Sequence, residues 1–229
     1  MLQESNPCEV SIRFPASASF QPSATDRHVP EDVLAAIGTL MRFARDEEIF
    51  GEGESAKYIY KVLSGSVRTS KILDDGRRQI PGFYLAGDFF GFETGANYSI
   101  SAEALAKTNV VAMKRSTVFD RAAKSASLFS EIWNLTAIEL KRAQSHAVLL
   151  IMSAQERVEN FLLEMADREL SKGQIELPMS RQDIADYLGL TIETVSRTLT
   201  LLEKSGVISL PSSRCIVLNN YDGLKILHA

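Results

Sequence analysis

The chain has 229 residues, 45% of them apolar, with 25 Lys and Arg against 29 Asp and Glu for a net charge of -4. That apolar content suffices for one good core or two smaller ones, two domains being the expectation, and the acidic balance excludes a generally basic protein that coats nucleic acid without reading it. No apolar run is long enough for a membrane span, and Met1-Leu2-Gln3-Glu4 has neither the basic start nor the apolar segment of a signal peptide, so a cytoplasmic protein with no membrane partner is expected.

Residues 1 to about 28 are rich in Ser, Ala and Pro and read as an arm with no core of its own. Glu31 to Phe43 then places Val33, Leu34, Ile37, Leu40 and Met41 on one side of a short predicted helix. Beyond it the pattern changes to short β-branched and aromatic runs broken at Gly51, Gly53, Gly65, Gly76, Gly82, Gly87, Gly91 and Gly95, the spacing of a compact antiparallel roll. Composition alone would allow a cupin-type metalloenzyme here. His28, His146 and His228 all lie outside the roll, so no metal and no enzyme activity are expected.

Leu128 to Ser153 has a helical pattern without Gly or Pro, roughly 26 residues and about 39 Å long. A heptad-like seam runs Ile132, Leu135, Glu139, Arg142, His146, Leu149, while Trp133, Ile138, Leu140, Val148 and Met152 cover other sides, where they would pack on the roll. Such a helix needs a partner. Polar seam residues can fix register, so Glu139 could pair with Arg142 of a second chain, or both could turn to solvent. Ser153 to Val158 interrupts the seam and begins another helix, with Phe161, Leu162 and Met165 inward.

The most informative stretch is Leu177 to Leu210. Ser180 and Asp183 have capping-box spacing, with Met179 and Ile184 placed as a hydrophobic staple. Ile184, Ala185 and Leu188 form the inward face of this first helix, and Gly189 supplies the left-handed residue that ends it. Thr191 caps a second helix with Val195, Leu199 and Leu202 inward, ending at Ser205-Gly206. Its outward face carries Glu193, Ser196 and Arg197. In a major groove a guanidinium can bond guanine O6 and N7, and a carboxylate can accept from a cytosine amino group. On an arbitrary helix Glu193 and Arg197 would read as an i,i+4 surface ion pair; the helix-turn-helix around them favours base reading. Ser180 and Arg181 start the first helix and are candidates for phosphate contacts, with Thr191, Thr194 and Arg214 added and Gln182 a weaker choice. Arg214 to Leu218 follows the turn Pro211-Ser212-Ser213 as the second strand of a wing. Cys215 lies there beside a cation, which fits either a half-buried strand thiol or an oxidisable one.

The run Gly-Leu-Thr-Ile-Glu-Thr-Val-Ser-Arg (Gly189–Arg197) resembles the recognition motif of the Crp/Fnr superfamily of bacterial transcription regulators, and Gly53–Val67 and Gly82–Glu93 resemble its β-roll. Ile192 and Ser196 stand where cyclic-AMP receptors have an Arg and a Gly, so the resemblance is to the Fnr/FixK branch. It implies base contacts from Ile192, Glu193, Ser196 and Arg197, a palindromic TTGA-type operator and a homodimer paired through the long helix by Ile132, Leu135, Glu139, Arg142, His146 and Leu149. It also implies contact with RNA polymerase through the turn holding Asp74, Asp75 and Arg77. The resulting expectation is α+β: an arm (1–28), an antiparallel β-roll (29–123), a dimerisation helix (124–153) and a winged helix-turn-helix (154–229).

The family's two known inputs test poorly against this sequence. The stretch from Gly91-Phe92 to Tyr98-Ser99-Ile100-Ser101-Ala102 lacks the Arg that holds a cyclic phosphate in cyclic-AMP receptors, and Glu103 would repel one. An iron–sulfur cluster needs four thiolates, and the chain has only Cys8 and Cys215. No cofactor is therefore expected, as in FixK-type members, whose family role is activating genes of low-oxygen respiration. The competing functions are a regulator gated by an unidentified ligand in the roll, and an enzyme or nucleotide-binding subunit, against which the missing P-loop also counts.

Overall fold

Two four-stranded antiparallel sheets build the N-terminal half of the computed structural model, which describes residues 38–169 and 173–221. One has the order β1 (Thr39–Phe43), β8 (Thr108–Lys114), β3 (Tyr58–Ser64), β6 (Phe89–Phe90), and the other β2 (Glu48–Phe50), β7 (Ser101–Ala104), β4 (Ser66–Ile72), β5 (Arg78–Leu85). Alternating side chains point between the sheets, where Phe50, Tyr60, Val62, Val67, Phe90 and Tyr98 form one core. The turn from β3 to β4 requires glycine: Gly65 has φ +83°, and a Cβ there would lie 2.5 Å from the Thr108 hydroxyl. This is the expected roll.

The expected helix over Glu31–Phe43 is corrected within the described residues. Thr39–Phe43 is a strand, with Thr39 opposite Ala112 and Phe43 opposite Thr108. Leu40 and Met41 are exposed and only Phe43 is buried, so the helical spacing of the apolar residues does not mark a buried face. Gly38 was the overlooked signal. A Cβ there would come within 2.1 Å of Val111 Cγ1, a backbone approach to β8 that a helix would not need. Residues 31–37, the arm at 1–28 and Cys8 lie outside the described residues.

Five helices follow among the described residues. The first, α1 (Arg115–Ala122), went unread because its N-cap, Lys114, offers no capping side chain. The long helix α2 (Ala126–Leu149) has 24 residues and starts at Ser125, whose hydroxyl accepts from the Leu128 N–H. It stops short of the expected end at Ser153. There a new helix, α3 (Ala154–Glu169), begins with a capping box: the Glu156 carboxylate accepts from Ser153 N–H and the Ser153 hydroxyl from Glu156 N–H.

The heptad-like seam assigned to dimerisation also requires correction, because it faces the same chain. Ile132 and Leu135 pack against the cluster of Ile59, Phe89, Met113 and Val118. Glu139 accepts from the Tyr84 hydroxyl at 3.2 Å and pairs with Arg142 at 2.7 Å within the chain, while Arg142 reaches Asp88 at 2.5 Å. His146 stacks on Tyr187 with ring centroids 4.3 Å apart and donates to the Tyr187 carbonyl; Leu149 is buried. Its polar members find partners on the roll and on the C-terminal half. The side expected to pack on the roll is open instead: Trp133 is 66% exposed, and Ile138, Leu140 and Val148 are exposed too, with Met152 half-buried. Along it Trp133, Ala137, Leu140, Gln144, Ala147 and Ile151 recur at alternating spacings of four and three, every one exposed. Small and polar members diluted this second stripe in the sequence.

The remaining residues form a winged helix-turn-helix: β9 (Gln174–Glu176), α4 (Arg181–Leu188), α5 (Ile192–Lys204), β10 (Ile208–Ser209) and β11 (Cys215–Leu218), with the sheet order β10, β11, β9. Phe161, Leu162 and Met165 of α3 share a core with Ile184, Ala185 and Leu188 of α4 and with Val195, Leu199 and Leu202 of α5. That core extends to Phe83 and Ile80 of the roll, and all described residues belong to one compact unit.

Candidate DNA-reading surface

The two helices of the motif are fixed by local chemistry. Ser180 accepts from Asp183 N–H while the Asp183 carboxylate accepts from Ser180 N–H, a complete capping box. Gly189 closes α4 at φ +62°, and Thr191, by accepting from Thr194 N–H, opens α5 two residues later. Met179 and Ile184, the expected staple, are both buried. With Val195, Leu199 and Leu202 turned inward, the opposite face of α5 must point outward.

That face carries Glu193, Ser196 and Arg197, all exposed, with Ile192 half-buried beside them. No ion pair joins Glu193 to Arg197 among the described residues, so the simple surface pair is not formed and both groups remain available. The Glu193 carboxyl is held below its ordinary value by its own backbone N–H and by the Thr191 side chain. It is therefore ionised at neutral pH and can only accept hydrogen bonds, as a cytosine amino group requires. Arg197, one turn further on, presents donors only. Along one face the surface thus offers an acceptor, a hydroxyl and a guanidinium.

The other candidates are placed less uniformly. Thr191 is exposed and Thr194 half-buried at the start of α5, their hydroxyls 3.1 Å apart, and Arg214 is half-buried before β11. Ser180 and Arg181 do not form the exposed helix start expected of them. The Ser180 hydroxyl donates to Asp183 at 2.7 Å, and Arg181 is half-buried with Nη1 enclosed and without a hydrogen-bond partner. Asp74, Asp75 and Arg77 form the exposed tip of the β4–β5 hairpin, where Arg77 donates to Asp75 from both its backbone and its side chain. Cys215 is a half-buried free thiol that accepts from Gln174 Nε2 at 3.4 Å.

Comparison with known proteins agrees with this geometry. Residues 156–227 match the Crp-like helix-turn-helix domain, and residues 40–125 match the cyclic nucleotide-binding domain. The nitrogen fixation regulation protein FixK of Azorhizobium caulinodans is 51% identical over 86% of this chain and 82% of its own length. The chain belongs to the Crp/Fnr family, on its FixK branch. It also resembles the solved structure of FixK2 from Bradyrhizobium japonicum, with a TM-score of 0.80 and 46% identity over 84% of this chain and 98% of that one. The fumarate and nitrate reduction regulatory protein of Yersinia pestis is 33% identical over 77% of this chain and 73% of its own. The α+β fold with a roll and a C-terminal helix-turn-helix is that of the Crp/Fnr family, and this FixK-type chain is a DNA-binding transcription regulator.

In this member's roll the Ser99 donors are already engaged, and Lys71 Nζ donates to the Ser99 carbonyl at 3.0 Å. A cyclic phosphate needs a cation and free N–H donors. The stretch Tyr98–Ala102 has no cation, and the donors of Ser99, its N–H and its hydroxyl, both go to Glu93 Oε1 at 2.8 and 2.7 Å. Nearby, the interior is filled by rings, with Phe50 and Tyr98 stacked 3.7 Å apart and Tyr60 beside Phe90 at 5.1 Å.

Sequence reasoning missed the ion network between the roll and the helix-turn-helix. Asp183, 2% exposed, accepts from Arg68 at 3.0 Å and Arg78 at 2.7 Å, and Arg78 also reaches Asp186 at 2.7 Å. A second node, Asp88, pairs with Arg142 of α2 and Arg168 of α3. Arg157 of α3 donates to the carbonyls of Met152 and Leu188, tying the break after α2 to the end of α4. No local pattern announces ion-pair partners that lie 54 to 115 residues apart. Of its members, the sequence marks Asp183 only as a cap and Arg142 only as a seam residue.

Proposed function

We propose that this FixK-type regulator is a homodimeric activator that reads a palindromic TTGA-type operator without cyclic nucleotide or iron–sulfur cluster and controls genes of low-oxygen respiration. The observation that carries the reading is the co-exposure of Glu193, Ser196 and Arg197 on one face of α5, neither charge neutralised by the other. Ser99 already bound to Glu93, and a roll interior filled by aromatic rings, support independence from cyclic nucleotide. The names of the relatives, regulators of nitrogen fixation and of fumarate and nitrate reduction, support a role where oxygen is scarce. Phosphate contacts come from Thr191, Thr194 and Arg214, with Arg181 joining once its half-buried guanidinium swings out; phosphates set position while the α5 face sets sequence. Cys215, in the wing, gives oxidation a route to added negative charge near DNA.

Dimerisation uses the exposed stripe from Trp133 to Ile151. Two such helices bury the stripe against each other and bring the two α5 helices to about one DNA turn, roughly 34 Å, apart. Leu140→Asp puts a charge in that seam. The variant elutes at monomer size in size-exclusion chromatography and loses operator affinity by roughly 100-fold, the avidity of two linked half-sites. A dimer of unchanged affinity would exclude this face.

The hairpin tip supplies the contact with RNA polymerase through Asp74, Asp75 and Arg77. Arg77→Ala lowers transcription in a purified system while fluorescence anisotropy shows unchanged operator affinity. A parallel fall in DNA binding would remove the tip from this role.

A further inference from the structure

We infer that Arg78 and Arg68, roll residues placed away from the base-reading face, are positioning residues for DNA reading. Through Asp183 and Asp186 they hold α5 at the angle to α2 that the spacing of the operator half-sites demands. The inference rests on the dimeric reading above.

The contacts converge on one face of α4. Arg78 grips Asp183 and Asp186 at 2.7 Å each, and Arg68, itself anchored by Glu103 at 2.5 Å, meets Asp183 at 3.0 Å from the neighbouring strand. On the next turn Tyr187 is stacked by His146 of α2 and touched by Phe83 of the roll, their ring centroids 4.3 and 5.2 Å away. The buried side of α4, Ile184, Ala185 and Leu188, is welded to α5 through Val195, Leu199 and Leu202. Any rotation of α4 therefore carries the reading face with it. The break at 150–153 is the point about which the C-terminal half could turn, and the guanidinium clamp spans it from outside. Apolar packing would tolerate a range of angles, whereas a planar fork on two carboxylates accepts few. A regulator that reads its operator without an effector, as proposed above, needs the pose fixed by its own side chains, and the Arg68 and Arg78 contacts to α4 are placed to fix it.

The test uses the full-length protein and duplexes in which the inverted half-sites are brought closer or moved apart one base pair at a time. Wild type shows a sharp optimum in affinity against spacing. Arg78→Ala lowers affinity at that optimum by about tenfold and flattens the profile, as expected when the second half-site is no longer presented in register. Its preference for TTGA over a scrambled sequence in a single half-site stays the same. Asp186→Asn reproduces the effect, the double variant is no worse than either single, and Arg78→Lys restores part of the sharpness. Thermal unfolding and elution volume verify that each variant is a folded dimer; where Arg78→Ala fails that check, Asp186→Asn and Arg78→Lys decide. An unaltered spacing profile would overturn the inference, and so would tighter binding by the variants, which would mean that the clamp holds α5 away from DNA. Failure of the wild type to distinguish the operator would instead count against the dimeric reading itself.

Discussion

Replacing Asp183 with asparagine lowers the unfolding free energy by about 3 kcal/mol, the low end of the loss on breaking a buried ion pair from one side. The low end applies because neither guanidinium is stranded: Arg68 keeps Glu103 and Arg78 keeps Asp186. The carboxylate also closes the capping box of α4, so the helix start weakens together with the seam to the roll. Urea titration measures the loss as a shift in midpoint at constant slope. Its pH dependence has a definite sign. Burial pushes the Asp183 carboxyl up, but the Ser180 hydroxyl and N–H together with Arg68 and Arg78 outweigh it, and the net native pKa lies below 3.8. A depressed native pKa means that the contribution is fully present above the unfolded value and lost as pH falls through the native one. The difference between wild type and variant is therefore flat between about pH 5 and 8 and shrinks only in stronger acid. A difference already shrinking near neutrality would mean that the ion pairs are not the source.

Arg197→Ala removes the preference for guanine at one operator position. The cost is about 1–3 kcal/mol on the correct site and little on a duplex already substituted there. Glu193→Ala relaxes selection on the opposite strand, as expected if the ionised carboxylate accepts from a cytosine amino group. Binding to random DNA barely changes, since phosphate contacts supply that affinity. Anisotropy titrations of single-position operator variants measure both effects. A uniform loss across all duplexes would reassign Arg197 to the phosphates.

What the sequence disclosed and what it hid divide along the range of the interactions. Ser180 with Asp183, Gly189 and Thr191 lie within a turn of the groups they serve, so both helices of the motif could be placed from local chemistry alone. The outward triad followed by elimination once Val195, Leu199 and Leu202 were turned inward. The glycine-broken runs mark an antiparallel roll as a class, without giving the bounds of its strands. Periodicity misled where two faces competed. On α2 the polar residues Glu139, Arg142 and His146 suggested a register-setting seam, yet each has its partner on the same chain, at Tyr84, Asp88 and Tyr187. At β1 a helical spacing of Ile37, Leu40 and Met41 outweighed Gly38 in the reading, although pairing with β8 decided the structure. The clamp of Arg68 and Arg78 had no local signature, because strand arginines look solvated until the fold brings aspartates from α4 against them.

The most direct measurement is a titration of the purified wild-type protein, with no nucleotide added and at moderate salt, onto a duplex with inverted TTGA half-sites and onto a scrambled duplex of equal composition. Binding to the palindrome should be tighter by roughly 10³-fold or more, the gap between specific and non-specific recognition. It should be unaffected by adding cyclic nucleotide. Equal affinity for the two duplexes, or a preference that emerges only with the nucleotide present, would contradict a regulator that reads its operator unaided through Glu193, Ser196 and Arg197.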